Sequence, residues 1–245
     1  MAGEHTGRAR RTGSVHAFAL RELTGEPWRN GGGVTRLVAS GNLQIASSRV
    51  GATETGSAAD DWDWRVSIAD INVDGPFSVF PGVHRQLTLL EGEGLALHAE
   101  DTALEGAQQA WRASQVGDVL DFAGDARVRA QLLGGPVRVW NLMLRGDALR
   151  GHVQALRYND ASWVQPFTAG DATAVFVYVP CGELALRGSN HADGVADISL
   201  AAGQGLWLSH PPAGLRMQLR TPYTLALTTW ISAPYSHHPP PASRL

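Results

Sequence analysis

Apolar and polar residues alternate one by one along much of this chain, and that period of two restricts the fold more than any other feature. In "WDWRVSI", Trp62, Trp64, Val66 and Ile68 fall on one side of an extended segment, with Asp63, Arg65 and Ser67 on the other. Val128, Ala130 and Leu132 alternate with Arg127, Arg129 and Gln131, and Leu215, Met217 and Leu219 with Arg216 and Gln218. Such segments predict half-buried antiparallel strands. "TAVFVYV", Thr173 to Val179, is apolar on both faces and predicts a strand covered on both sides. Gly, Pro and Asp turn signals, as in "DGPFSVFPG" and "SHPPAG", cut the chain into short segments. Helical periodicity is brief, with "LRELTGE" its best instance. The expectation is an all-β chain.

The chain also repeats itself. "LLEGEGLAL" (Leu89 to Leu97) resembles "VPCGELAL" (Val179 to Leu186), and "VGDVLDFAGDARVRAQL" (Val116 to Leu132) resembles "AGQGLWLSHPPAGLRMQL" (Ala202 to Leu219), at offsets of 86 to 89 residues. A unit of that length exceeds a solenoid repeat and suits a small antiparallel barrel. Two similar barrels are therefore expected, over residues 15–145 and 146–233, joined near "LRGDALRGH". The segments 1–14 and 234–245 read as disordered tails, and His237-His238 in the second reads as a solvated pair rather than a metal site.

Charge and composition exclude several functions. A net charge of -3 and a pI near 6.3 give no general attraction to nucleic acid or to an anionic membrane. The one cysteine, Cys181, rules out a disulfide framework and reads as a buried, inert thiol. No run of about 18 apolar residues occurs. A soluble, cytoplasmic protein is expected, without nucleic-acid or membrane partners. All 20 basic side chains are arginine, so lysine chemistry is excluded, while every cation can grip a carboxylate with two parallel hydrogen bonds.

Three long blocks, "PWRNGGGVTRLVA", "DWDWRVSIADINVDGPFSVFPGVHRQLTLLEGEGL" and "RAQLLGGPVRVWNLMLR", resemble in order and spacing the signature blocks of the HutD/Ves family of bicupins. They cover Pro27 to Arg145; the second half is similar only in its generic barrel pattern. The resemblance implies two jelly-roll barrels in one chain. Cupins commonly hold a metal through an H-x-H-(x)4-E arrangement and a later His. Here those slots fall on Ser78, Phe80 and Arg85, with the later one at Arg127 or Val128, and no H-x-H occurs. Arginine has no acceptor with which to ligate a metal, so neither metal nor other cofactor is expected. His84 becomes a ligand only if the register is one residue off.

The resemblance further implies that the "WR" arginine, Arg65, holds a small anionic compound of histidine breakdown such as N-formylglutamate. Arg85 is the second candidate, since an arginine enclosed in a barrel requires a carboxylate, whether from a ligand or from Asp63, Asp70 or Glu91. Gly31 and Gly32 of "WRNGGG" are read as a nest of backbone N–H groups for anionic oxygen, with a simple turn at a barrel end as the alternative. Trp28 would wall the pocket and Asn30 offer donor and acceptor; Ser67, Phe80 and Asn141 complete the expected ligand residues, with no catalytic residue among them. The favoured function is a non-catalytic sensor of an acidic intermediate of histidine degradation that moderates histidine utilisation. The competing readings are a metal-independent isomerase or hydrolase using His84 or Asp70, and a Ves-type stress protein with an unrelated ligand. A homodimer is the default assembly.

Overall fold

A computed structural model describes residues 14–42, 49–50, 62–100, 110–157, 172–188, 197–211 and 215–232. Apart from Ser14, both expected tails lie outside these residues, as does His237-His238. The first part of the chain supplies β1 (Val15–Ala19), β2 (Gly25–Pro27), β3 (Gly33–Gly41), β4 (Arg49–Val50), β5 (Trp64–Ile71), β6 (Gly75–Pro76), β7 (Val83–Glu91), β8 (Leu95–Ala99), β9 (Ala110–Ala113), β10 (Val119–Ala123), β11 (Val128–Leu132) and β12 (Val137–Arg145). The rest supplies β13 (Arg150–Arg157), β14 (Ala172–Cys181), β15 (Glu183–Arg187), β16 (Ile198–Ala201), β17 (Gln204–Ser209), β18 (Arg216–Leu219) and β19 (Leu225–Ser232). Among the described residues the helical segment "LRELTGE" reduces to one 3-10 turn, Leu20–Glu22. The fold is all-β.

Strand pairing repeats as the sequence does. The first large sheet runs β10-β7-β12-β5-β3-β2, with β4 beside β3, and the second runs β1-β17-β14-β19-β13. The segment β10-β7-β12-β5 matches β17-β14-β19-β13 strand for strand. The smaller sheets match likewise, β11-β8-β9 against β18-β15-β16. Equivalent strands begin about 88 residues apart, as Leu95 and Glu183 or Val137 and Leu225 do. Among the described residues all pairings are antiparallel. This is a bicupin, with each large sheet opposed by a small one.

Among the described residues three large apolar cores and one small cluster hold it. One fills the first barrel with Leu87, Leu89, Leu95, Leu97 and Val139, and one fills the second with Val175, Val177, Leu206 and Leu208. The third lies between the barrels, where Trp64, Val66, Ile68, Trp140 and Leu142 meet Phe176, Tyr178, Trp207, Leu227 and Ile231. The expectation that "WDWRVSI" would be half-buried therefore needs correction. Its even-numbered face from Trp64 onward is sealed against the second barrel, and its odd-numbered face lines the interior of the first. Trp62, just before the strand, leaves the row and packs with Val83 and Met143.

One strand departs from the expected division of the chain. β1, expected to open the first barrel, pairs with β17 at the edge of the second sheet. Phe18 draws it there, its ring stacked 5.9 Å from Tyr178 and 6.5 Å from Trp140. At the opposite edge of that sheet, Gln86 of β7 acts as a surrogate peptide. It donates through Nε2 to Gly151 O at 3.3 Å and accepts through Oε1 from Val153 N–H at 2.9 Å, tying β13 to the first barrel.

Trp140 is fully buried between the barrels and donates through Nε1 to Thr229 Oγ1 at 3.0 Å. Trp140→Ala should lower stability by about 3–5 kcal/mol, within one cooperative transition on chemical denaturation. A loss below about 1 kcal/mol, or two separate transitions, would show that the barrels do not stabilise each other.

Candidate functional site

Alternation along three neighbouring strands builds the interior wall of the first barrel. β12 lies between β5 and β7, and the register sets Arg65, Met143 and Arg85 side by side in one row across the sheet. The next row is Ser67, Asn141 and Leu87, and the third Ala69, Val139 and Leu89. The first two rows, with Ala69 and Val139 of the third, line a cavity of about 620 Å³ that the segment before β3 and the β6–β7 connection complete. That volume suits a small metabolite.

Of the expected ligand residues, Trp28, Asn30, Arg65, Ser67, Phe80, Arg85 and Asn141 line this one cavity. Gly31 and Gly32 do not, and the nest reading is corrected. Gly31 N–H donates to Trp28 O at 2.9 Å, and Gly32 N–H to Asn30 Oδ1 at 3.0 Å, so neither is left for an anion. The glycines serve the turn instead. Gly31 has φ +70, a conformation L-residues seldom adopt. A Cβ on Gly33 would collide with Asp70 O and stand 3.1 Å from the Trp28 ring. The turn thereby folds Trp28 over the cavity, where Nε1 donates to Thr35 Oγ1 at 2.8 Å and the ring meets Phe77 edge-on at 5.9 Å.

Arg85 is the unusual member. It is 7% exposed, and its guanidinium carbon lies 5.3, 5.4 and 4.9 Å from the ring centroids of Phe77, Phe80 and Phe122. Nη1 donates to Ser78 O at 3.4 Å, while the buried Nε has no partner. Burial first, then the charge of Arg65, lowers its pKa to about 10. The cation–π contacts orient the group and recover part of its lost hydration, yet they leave its in-plane donors for an acceptor. Two of the carboxylates weighed as internal partners, Asp70 and Glu91, are engaged elsewhere. Asp70 bonds Arg36 at 2.6 Å and Arg138 at 2.7 Å, and Glu91 bonds Arg138 at 2.7 Å. Burial alone would raise the pKa of Asp70, but the hydrogen bonds and charges of Arg36 and Arg138 outweigh it and hold the carboxyl below its usual range.

Among the described residues Glu26 is the one carboxylate on the cavity wall, which also carries Arg29, Arg65 and Arg85. The wall is therefore cationic. Arg29 and Phe77 were missed by sequence reasoning because they sit in irregular segments, and Glu26 because its strand, β2, is only three residues long and shows no period, though Arg29 lies inside the quoted "WRNGGG". Neither acid–base candidate is on the wall. His84 points to the other side of β7 and bonds Asp121 through Nε2 at 2.7 Å, and Asp70 is locked between its arginines. Ser78, Phe80 and Arg85, at the cupin metal slots, all line the cavity. They do not fit a metal, since a hydroxyl, a phenyl ring and a guanidinium cation make no donor set for a divalent ion. Cys181, expected to be buried, is exposed, with Sγ bonded to Tyr223 O at 3.2 Å. Among the described residues no helix is long and apolar enough to cross a membrane.

Comparison with known proteins gives consistent matches. The family model described as HutD matches residues 20–227. An uncharacterized 21.2 kDa protein in the hutC 3' region of Pseudomonas putida is 32% identical over 154 residues, 61% of this chain and 70% of that one. Protein Ves of Cronobacter sakazakii is 31% identical over 202 residues, 82% of this chain and 90% of its own. The structure of HutD from Pseudomonas fluorescens SBW25 aligns with a TM-score of 0.59 at 22% identity, covering 89% of this chain and 97% of that one, a likeness of fold.

An unneutralised cation inside a barrel is a cost to the ligand-free protein. Because the folded state disfavours the charged form of Arg85, the penalty is fully present below about pH 10 and relaxes only as pH rises through that value. Arg85→Met should therefore stabilise the ligand-free protein at neutral pH, by about 1–3 kcal/mol, as read by thermal or urea melting. A destabilisation of similar size would show that Arg85 is a structural element rather than a stored charge.

Proposed function

This chain belongs to the HutD family, and from that premise we propose that its arginine-lined cavity binds a small carboxylate intermediate of histidine degradation, such as N-formylglutamate, and that the bound state moderates histidine utilisation. The family and the relative encoded beside hutC link the chain to that process. The observation that carries the reading is Arg85, a buried guanidinium with an unpartnered Nε, beside a second arginine in the same row of the same sheet. Two neighbouring strands lie about 4.8 Å apart, so the Arg65 and Arg85 backbones stand roughly 10 Å apart. Both side chains are long enough to close on one carboxylate between them. A carboxylate accepts two parallel bonds from a guanidinium and offsets the repulsion between the two arginine charges.

Binding without chemistry is the reading that the wall supports. General acid–base catalysis requires a titrating group within hydrogen-bond reach of the substrate. His84 and Asp70 are directed away from the cavity, and the carboxylate that does line it, Glu26, is exposed on β2. The aromatic rings of Trp28, Phe77 and Phe80 supply the apolar part of a ligand pocket whose polar groups converge from one side.

Charge-assisted pairs of this kind contribute about 1.5–3 kcal/mol. Arg65→Ala should weaken binding of N-formyl-L-glutamate by roughly tenfold to a hundredfold in calorimetric titration. Arg65→Lys should recover only part, because an ammonium cannot reproduce the planar fork. The ligand should raise the melting temperature of the wild-type chain with increasing concentration. Unchanged affinity in a folded Arg65→Ala protein would remove Arg65 from the site.

A further inference from the structure

Two successive register pairs on β7 and β10 carry the cavity on one face and the second barrel on the other. Arg85 pairs with Phe122, and both side chains point into the first barrel, where the guanidinium carbon lies 4.9 Å from the ring centroid. The next pair, Gln86 and Asp121, points outward, as neighbours along a strand must. Gln86 is 6% exposed and grips β13 through Gly151 O and the Val153 N–H. Asp121 Oδ2 accepts from Gln86 Nε2 at 3.1 Å, and Asp121 Oδ1 bonds His84 Nε2 at 2.7 Å. An ionised carboxylate can only accept, so Asp121 keeps Nε2 on its own side and leaves Oε1 to face the Val153 N–H. The orientation of one buried amide thus depends on β7, β10 and β13 together.

Resting on the binding reading above, we propose that these two pairs form a relay: occupation of the cavity tightens the hold of Gln86 on β13, so that the edge strand of the second barrel reports whether ligand is bound. The link is a cross-brace. Arg65 belongs to β5 and Arg85 to β7, with β12 between them. A carboxylate gripped by both arginines spans the three strands and restrains β7 against β5. Gln86 follows Arg85 directly in the chain, so what steadies one steadies the other. An amide held by Asp121, Gly151 and Val153 at once passes that restraint on, because close-packed, fully bonded groups move together. β13 is paired only with β19 among the described strands, and Arg150, His152, Gln154 and Arg157 along it are exposed. The bound state is displayed there, away from the cavity mouth. Gln86 and Asp121 act as positioning residues, since neither lines the cavity.

The test follows amide hydrogen exchange by NMR on the full chain. Val153, whose N–H Gln86 holds, is compared with Val177 in the middle of the same sheet, which serves as the reference for global opening. Saturating N-formyl-L-glutamate should slow Val153 by about fivefold or more beyond the slowing at Val177 in the wild type. Asp121→Ala and Gln86→Leu should abolish that excess. Thr88→Val, a change on the same outer face of β7 at a hydroxyl without a partner, should keep it. Equal slowing at both amides, or an excess that survives in both clamp variants, overturns the relay, while calorimetric binding of the ligand leaves the proposed function standing. If N-formyl-L-glutamate does not bind, that function falls and Arg85→Met decides the relay without ligand, because it takes the guanidinium off the Phe122 ring. It should then change exchange at Val153 relative to Val177 in the otherwise wild-type chain and not beside Asp121→Ala; no change, or the same change in both, overturns the relay. Should Gln86→Leu fail to fold, Asp121→Ala, at a half-exposed position, carries the comparison.

Discussion

The outer faces of β5, β7 and β12 press against β14, β17 and β19 of the second barrel, and that apolar contact obliges three strands to be buried on both sides. Trp64, Val66, Ile68, Trp140 and Leu142 seal one side. Whatever alternates with them must then face the inside of the first barrel, where water is scarce. The chain places Arg65, Ser67, Arg85 and Asn141 there, among apolar residues. Polar groups in such a position are tolerated only when something satisfies them, so the packing of the two barrels and the demand for a ligand are two faces of the same strands.

The cavity departs from the metal-holding cupin pattern in a chemically consistent way. The positions at the three slots hold a hydroxyl, an aromatic ring and a guanidinium, and three phenyl rings enclose that guanidinium. A metal would have supplied positive charge to polarise a bound acid. Arginines supply positive charge as well, but with directional donors and without an open coordination position, which suits holding a carboxylate more than activating it. Two carboxylates that might have neutralised the cavity, Asp70 and Glu91, are spent instead on Arg36 and Arg138.

Much of this was legible in the sequence, for reasons that differ by residue. Arg65 and Ser67 could be placed because they stand in a segment of strict alternation, and Asn141 because an extended strand sets it on the face of Val139 and Met143. Arg85 could be placed by counting back from a glycine turn. Gly31 and Gly32 could not be read correctly, because the same glycines serve an anion nest or a tight turn, and only the hydrogen bonds of their N–H groups distinguish the two. Glu26, Arg29 and Phe77 lie in segments with no period, where sequence position says nothing of direction.

The amino-acid sequence by itself determined the local order: the strands, their two faces, the turns between them and the repeat that makes two barrels, since each rests on neighbours a few residues apart or on a copied pattern. Which apolar face would meet the other barrel, that β1 would join the second sheet, and that Asp70 would pair with Arg36 and Arg138 rather than enter the cavity were decided by the tertiary structure. Those outcomes depend on contacts between residues far apart in the chain, where several partners of like chemistry compete and only packing in three dimensions selects among them.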